Sequence, residues 1–212
     1  MVKVVNKNVK TVQNNNLLTI KNPEIIFGIV APIGVNIDYA IDSLVTELKS
    51  VNYISNFLKL TDLIQQPPFN VPVDDSSFFS RYTSLIKGAN ALCNRFNSPD
   101  FLAKLAISWV RNERKKITQD LSVPAFGTAY IVRQFKRIQE IELMRKAYGR
   151  KFIQVSLYVD PALRKEWLLK RLSENDKHLT SDAEHEKQAI ELINRDYMEE
   201  DEIHGQEVSE IF

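Results

Sequence analysis

A short apolar segment near the start of the chain is followed by a change in hydrophobic period. Residues 25–30 are apolar at nearly every position and are bounded by Pro23 and by Ala-Pro-Ile-Gly at 31–34, which is typical of a strand buried on both faces within a parallel sheet. After Gly34 the apolar residues recur every three or four positions, as on one face of a helix. They are Ile37, Ala40, Ile41, Leu44, Val45 and Leu48. This order predicts the first half of a β-α-β unit.

The rest of the chain repeats this alternation of strand and helix patterns. The order predicts an α/β fold with a parallel sheet and helices on both of its faces. Ser181 and Glu184 have the spacing of a capping box at the start of the last helix. Further strands are predicted at about 55–60, 128–132 and 152–159, and further helices at 79–96, 99–116, 138–148, 161–172 and 181–194.

Composition divides the chain into three expected parts. Residues 1–21 are polar and rich in Asn and are expected to form an arm, 22–195 carry the α/β pattern, and 196–212 are expected to be an acidic linker. No segment has the roughly eighteen consecutive apolar residues needed to cross a bilayer, and no signal peptide is visible. We therefore expect a cytoplasmic protein with no membrane partner.

Charge and metal-binding residue types narrow the chemistry only slightly. The 212-residue chain has a formal net charge of +1, so bulk electrostatics neither requires nor excludes a polyanionic partner. A single cysteine excludes an intrachain disulfide. The histidines His178, His185 and His204 are scattered and lack paired cysteines. We expect them to be solvated and predict no metal site and no catalytic residue of this chain's own.

The turn after the first predicted strand lies where a phosphate-binding loop would lie. Such a loop needs a strand, a tight turn whose N–H groups point inward, and a helix N-terminus that faces the anion. Aligning residues 31–38 with G-x-x-x-x-G-K-[ST] places Ala31 and Asn36 at the glycines, Ile37 at the lysine and Asp38 at the magnesium-binding hydroxyl. Only the scaffold matches. The predicted nucleotide-binding positions here are Ile33, Gly34, Val35, Asn36, Ile37 and Asp38.

Three of these positions alter the chemistry expected of the loop. Asn36 tolerates positive φ better than most residues and is an acceptable replacement for glycine. Ile37 cannot carry the positive charge that the usual lysine brings to the phosphates, and its spacing with Ile41 predicts inward packing. Asp38 either complements the helix dipole or recruits a cation. The loop therefore predicts phosphate binding by backbone groups with little phosphoryl transfer.

Arginines supply the candidate cationic side chains. Arg133 follows the predicted strand 128–132, at the edge where open α/β sheets hold ligands. Arg164 and Arg171 are seven positions apart on one predicted helix face, so they could reach the same anion or simply be solvated or ion-paired. The tract 133–151 holds seven basic residues and two acidic ones. We include Arg133, Arg164 and Arg171 among the predicted nucleotide-binding residues.

Several segments carry a pattern that extends beyond the loop. They read PEIIFGIVAPIG at 23–34, LTDLI at 60–64, AYIVR at 129–133, EIELMR at 140–145 and GQ at 205–206. Together they resemble the N-terminal P-loop, nucleotide-kinase-like domain of the bacterial anti-phage deoxycytidylate (dCMP/dCTP) deaminase family, over about residues 22–212. The arginine followed by Glu-x-Glu-Leu is also similar to nucleotide and dephospho-coenzyme A kinases.

This resemblance implies a P-loop NTPase-like fold and a following zinc-dependent domain that converts deoxycytidine nucleotides to deoxyuridine nucleotides. Zinc deamination uses H-x-E and P-C-x-x-C segments, and this sequence contains neither. We therefore expect the chain to be the N-terminal part of a longer deaminase, without deaminase activity and with weak or no kinase activity of its own. Its expected cofactor is at most a nucleotide with magnesium, with zinc only in the missing domain.

Three functions are compatible with these patterns. The favoured one is a nucleotide-binding regulatory or oligomerising module of an antiviral defence deaminase, which acts by binding. The second is an active nucleotide kinase in which an arginine replaces the missing lysine. The third is a non-catalytic protein or RNA interaction domain that uses the basic residues at 111–116 and 133–151. The candidate partners are thus a nucleotide or another phosphate ligand, the C-terminal deaminase domain, a second copy of the chain and a regulatory RNA.

Overall fold

A computed structural model describes residues 22–175, 180–197, 208 and 211. The expected arm at 1–21 lies outside these residues, as do His178 and His204. The described chain is an α/β domain whose four strands form one parallel sheet in the order β2-β3-β1-β4. The strands are β1 (Ile25–Val30), β2 (Ile54–Lys59), β3 (Thr128–Phe135) and β4 (Phe152–Ser156).

Helices cover both faces of this sheet, as the sequence predicts. They are α1 (Ile37–Ser50), α2 (Leu60–Gln65), α3 (Phe78–Arg95), α4 (Phe101–Thr118), α5 (Ile138–Tyr148), α6 (Pro161–Glu174) and α7 (Asp182–Tyr197).

Alternate residues of β1 face two different apolar clusters. Ile26 and Val30 pack with α2, α3, α4 and α5 on one side, whereas Phe27 and Ile29 pack with α1 on the other. Because the strand is buried on both faces, it is apolar throughout. A third cluster joins Ile33 to α6 and α7, and it fixes these two helices beside the end of β1.

Several element boundaries differ from the predicted ones. The short helix α2 was not predicted, because the prolines at 67, 68 and 72 made this region resemble a loop. The helix α4 begins at Phe101 rather than at Pro99, and the Ser98 hydroxyl donates to the Asp100 carboxylate at 2.5 Å. The strand β3 continues to Phe135, past the predicted end at 132.

The C-terminal residues also differ from expectation in three respects. The helix α7 extends to Tyr197, so position 196 lies within a helix instead of at the start of a linker. Val208 and Ile211 are buried against the main cluster, and Gln154 donates a hydrogen bond to the Ile211 carbonyl at 2.9 Å. His185, expected to be solvated, is buried.

Among the described helices, none has the length and apolarity that a bilayer crossing requires.

Candidate anion-binding site

The segment after β1 forms a tight turn at the carboxyl end of the strand. The Val35 N–H donates to the Pro32 carbonyl at 3.3 Å, and the Ile37 N–H donates to the Val35 carbonyl at 2.9 Å. Gly34 has a φ of +89°, which favours a residue without a β-carbon. The main chain between Ala31 and Asp38 is therefore curled, and two of its N–H groups, those of Val35 and Ile37, are bonded to carbonyls of the same loop.

The positive φ of this turn lies at Gly34 and not at Asn36. Asn36 has a φ of −76° and is the N-cap of α1, where its side-chain oxygen accepts a hydrogen bond from the Tyr39 N–H at 3.3 Å. The proposed role of Asn36 as a replacement for glycine in a left-handed position is therefore wrong. Its side chain satisfies one of the free N–H groups of the first helical turn.

The inward packing expected of Ile37 is confirmed, and Ile33 is packed inward as well. Ile37 packs with Ile41 and the sheet, and Ile33 packs with α6 and α7. Both residues also line a cavity at the carboxyl ends of the strands. Asp38 instead is largely exposed, and its carboxylate pairs with Arg133 at 2.6 Å.

Arg133 does not lie at the end of β3, because the strand continues for two more residues. It lies opposite Ile29 within the sheet, and a register irregularity follows between Ile29 and Val30. Its guanidinium contacts Asp38, while its Nε is buried without a hydrogen-bond partner among the described residues. The structure thus places Arg133 beside the start of α1 and outside the cavity lining.

The two arginines of α6 have different surroundings. A β-carbon built on Gly34 would lie 2.6 Å from Cγ of Arg164 and 2.9 Å from its carbonyl oxygen, so Arg164 presses against the outside of the turn. The Nε of Arg164 is buried and has no hydrogen-bond partner within the described part of the chain. Arg171 lines the cavity and lies over the Trp167 ring, 5.0 Å from its centroid. Arg171 therefore borders the cavity, whereas Arg164 does not.

The Ile33 amide already holds an anionic group. It donates to Oδ2 of Asp196 at 2.6 Å, and Oδ1 of Asp196 accepts from Nζ of Lys136 at 2.5 Å. The same ammonium donates to the Ala31 carbonyl at 2.7 Å. One loop amide and one lysine therefore bind the two oxygens of a single carboxylate, which is almost fully buried.

Glu140 fixes the position of Lys136. Its buried carboxylate accepts from the N–H groups of Lys136 at 2.7 Å and Arg137 at 3.1 Å, and it also contacts the Arg137 guanidinium. Burial raises the pKa of Glu140, while the charge of Arg137 and these hydrogen bonds oppose the rise. The short connection between β3 and α5 is thus held rigidly, with the Lys136 side chain directed at the loop after β1.

A cavity of about 290 Å³ opens at the carboxyl ends of β1, β2 and β3, the edge at which open α/β sheets bind ligands. One part of its wall is aromatic and apolar, with residues from α3, α4 and α6. Another part is basic and includes a single carboxylate, that of Asp196. The apolar part comprises Phe78, Tyr82, Leu85, Ile86, Ala89, Leu102 and Trp167, and the basic part comprises Lys59, Arg81, Lys136, Arg137 and Arg171.

Two titratable groups in the wall respond to this environment. Burial lowers the pKa of Lys59; Asp62 opposes this change, and the charges of Arg133 and Arg81 add to it. Burial also raises the pKa of Tyr82. Burial is therefore the largest influence on the pKa of both groups, and partial withdrawal from water strengthens the interaction of a charged side chain such as Lys59 with an anion.

The residues of this site do not by themselves fit a divalent cation. Asp38 is occupied by Arg133, and Asp196 by Lys136 and the Ile33 amide. In the described ranges no group of three or more His, Cys, Asp or Glu side chains is placed to hold a metal. Magnesium in such a site usually keeps waters and is shared with substrate phosphates, so a nucleotide would have to supply most of its ligands.

Sequence reasoning missed Asp196, which accepts from the Ile33 N–H, and Lys136, which pairs with Asp196. Lys136 was counted only as part of the basic tract, and Asp196 was assigned to a linker. The signal for Lys136 is its position one residue after the end of β3. Asp196 gives no local signal, because its role depends on how α7 packs against Ile33.

No protein-family model matches this chain, and no curated protein is significantly similar to it.

Proposed function

We propose that this chain is a nucleotide-binding module with a degenerate P-loop, which acts by binding rather than by catalysis. In this proposal the phosphates bind at the loop after β1 and the base enters the apolar part of the cavity. The resemblance stated above makes it a regulatory or oligomerising module of a bacterial anti-phage deoxycytidine nucleotide deaminase. The observation that carries the proposal is the pairing of one loop amide and one lysine around a buried carboxylate.

A phosphate group fits the donors that this pairing presents. The Ile33 N–H and the Lys136 ammonium are converging donors at the wall of the cavity. Charge-assisted hydrogen bonds of this kind are stronger than neutral ones. The first turn of α1 begins at the same loop, and the dipole of this helix gives its amino end a partial positive charge.

The apolar part of the cavity suits a nucleobase. Phe78, Tyr82 and Trp167 present aromatic rings, and such rings stack on bases with little selectivity between them. The size of the cavity, about 290 Å³, is near the lower end of ligand-binding pockets in general. This division into a basic part and an aromatic part favours a nucleotide over inorganic phosphate alone.

Phosphoryl transfer by an arginine is less well supported. Arg133 is held by Asp38 and Arg164 lies outside the turn, so that of these three candidate arginines Arg171 alone lines the cavity. The interaction-domain alternative also loses part of its basic surface. Within 111–116, Arg114 is committed to a buried pair with Glu24 and is unavailable to an RNA backbone.

Titration calorimetry tests the proposal. The chain is titrated with each deoxynucleoside and ribonucleoside triphosphate, with Lys136→Met as the test variant and Lys187→Met, an exposed lysine of α7, as the matched control. Hydrogen bonds to charged groups contribute about 1.5–3 kcal/mol, so we expect Lys136→Met to weaken binding at least about tenfold. The control should bind like the wild type.

Two outcomes would contradict this function. If no triphosphate binds to the wild-type chain or to any variant tested, the binding proposal fails. If radiolabelled phosphate is transferred and Arg133→Ala or Arg171→Ala abolishes the transfer, the chain is a kinase with an arginine in the role of the lysine. Binding without transfer supports the proposal.

A further inference from the structure

The Asp196 carboxylate is placed where a bound anion would contact the loop. Its two oxygens accept from the Ile33 N–H at 2.6 Å and from the Lys136 ammonium at 2.5 Å. Its side chain is 3% exposed and that of Lys136 is 14% exposed. Both residues nevertheless line the cavity. A ligand phosphate that approached these two donors would meet a negative charge of the protein itself.

We propose that Asp196 is a built-in competitor of the phosphate ligand, so that nucleotide binding displaces the C-terminal end of α7. The inference rests on the proposed function and adds its regulation. A phosphate and the Asp196 carboxylate cannot both accept from the single Ile33 N–H, and their like charges oppose each other at the Lys136 ammonium. Occupancy of the cavity therefore changes the position of α7, and the position of α7 changes the affinity of the cavity.

When a phosphate displaces Asp196, Lys136 exchanges one anionic partner for another and does not remain unpaired. Removing one partner of a buried ion pair leaves an uncompensated charge, which is strongly unfavourable. A phosphate avoids that cost for Lys136, because it supplies a new negative charge at the same ammonium. Asp196 in turn must move to a place where water can solvate it. The free energies that the polar groups lose and regain in this exchange are therefore similar, and ligand binding can shift the equilibrium between the two arrangements.

The attachment of α7 confines the movement to one end of the helix. Ala189 and Leu192 are buried in the cluster with Leu168 and Leu172 of α6, so the middle of α7 is held by apolar contacts. Asp196 lies at the far end, after these contacts and one residue before the helix ends at Tyr197. Displacement of Asp196 thus moves the last turn of α7 and the direction in which the chain continues. By linkage, an element bound to that last turn would alter nucleotide affinity by the same factor.

The direct test removes the negative charge of the Asp196 side chain without changing its size. Asp196→Asn keeps an oxygen that can accept from the Ile33 N–H, but it removes the charge that neutralises Lys136. Asp182→Asn, an exposed position in the first turn of the same helix, is the matched control for the change in net charge. Binding of deoxycytidine triphosphate and of inorganic triphosphate is measured by calorimetry. We expect Asp196→Asn to bind at least about fivefold tighter than the control, the lower end of usual coupling between sites.

The comparison of Asp196→Asn with Asp182→Asn separates competition at the loop from the effect of a change in net charge. If Asp196→Asn binds no more tightly than Asp182→Asn while the wild type does bind, the competitor role is overturned and the proposed function stands. If no chain binds either probe, both fail. If only Asp196→Asn binds, both are supported.

Hydrogen exchange on the wild-type chain gives a second test that does not depend on how the variant folds. We expect saturating inorganic triphosphate to speed exchange of the amides at 193–196 at least about fivefold, while amides at 185–190 keep their protection. Unchanged or slower exchange at 193–196 in the presence of a bound probe would overturn the displacement of α7.

Discussion

Two buried ion pairs lie at opposite ends of β1, and they differ in what surrounds them. At the amino end, Arg114 binds Glu24 through Nε at 2.9 Å and through Nη2 at 2.5 Å. At the carboxyl end, Lys136 binds Asp196 through its single ammonium. Both carboxylates also accept from a backbone N–H, that of Ala125 in the first pair and that of Ile33 in the second.

The pair at the amino end is closed. Its guanidinium makes a further hydrogen bond to the Leu121 carbonyl at 3.0 Å, and neither side chain lines the cavity. The geometry is bidentate, which orients both groups firmly. Glu24 and Arg114 therefore join β1, α4 and the connection before β3 into one unit, and their role is structural.

The pair at the carboxyl end is open to exchange. A lysine ammonium is a single point of charge on a flexible stem, and both partners face the cavity. Asp196 comes from the end of α7, whereas Arg114 comes from the interior of α4. The two pairs therefore differ in whether a ligand can reach them. The Lys136–Asp196 pair borders the cavity, where another anion can replace the carboxylate, whereas the Glu24–Arg114 pair does not border it.

The largest effect on stability is expected when the Glu24–Arg114 ion pair is broken. Glu24→Gln removes the charge opposite Arg114 and should lower the free energy of unfolding by about 3 kcal/mol, the lower end of the range for a broken buried pair. The lower end applies because the Arg114 side chain keeps 12% exposure and can recover some hydration. Denaturant unfolding measures this change, with Glu47→Gln on the exposed face of α1 as control.

The same variant should leave ligand binding intact. Because Glu24 lies at the other end of β1, triphosphate binding to folded Glu24→Gln should stay within about twofold of the wild type, the behaviour of distant and independent sites. A loss of binding larger than this in the folded protein would show that the two pairs are not separate in function.

A smaller effect is expected from the turn itself. Gly34→Ala introduces a β-carbon at a φ of +89°, against the backbone oxygen of Arg164, and should cost about 1–3 kcal/mol in unfolding free energy. It should also weaken triphosphate binding, because α6 and the loop must move apart. Both quantities are obtained from denaturant unfolding and calorimetry.

Gly149→Ala is the matched control for that substitution. Gly149 also has a positive φ, but a β-carbon there would have no neighbour within 4 Å. Both variants should lose stability, whereas only Gly34→Ala should lose affinity. Equal affinities in the two variants would mean that the contact between the turn and α6 does not shape the site.

The sequence predicted the elements of this domain better than their ends. The unbroken apolar run of β1 and the helical spacing from Ile37 to Leu48 depend on local periodicity, and both elements were predicted correctly. The strand order was not predicted, because it is set by contacts between distant segments. The curled turn with Gly34 was predicted from the strand, turn and helix order alone.

The position at which β3 was predicted to end determined which basic residue was assigned to the candidate site. Polar residues after Val132 suggested that the strand ends there, which placed Arg133 at the sheet edge. The strand continues through Gln134, which has a φ of +80°, to Phe135, and a register irregularity lies opposite in β1. Arg133 contacts Asp38, and Lys136, one residue past the end of the strand, reaches the loop after β1. Such irregularities depend on the neighbouring strand and cannot be read from one segment.

The most direct test of the central proposal follows the backbone amide of Ile33 by nuclear magnetic resonance. On titration with deoxycytidine triphosphate at constant ionic strength, we expect the Ile33 and Gly34 amide signals to shift saturably, because a phosphate oxygen replaces the Asp196 carboxylate at the loop. Sodium chloride at the same ionic strength should leave both signals unchanged. Shifts confined to the basic surface at 111–116, with Ile33 and Gly34 unmoved at saturating nucleotide, would contradict binding at this loop.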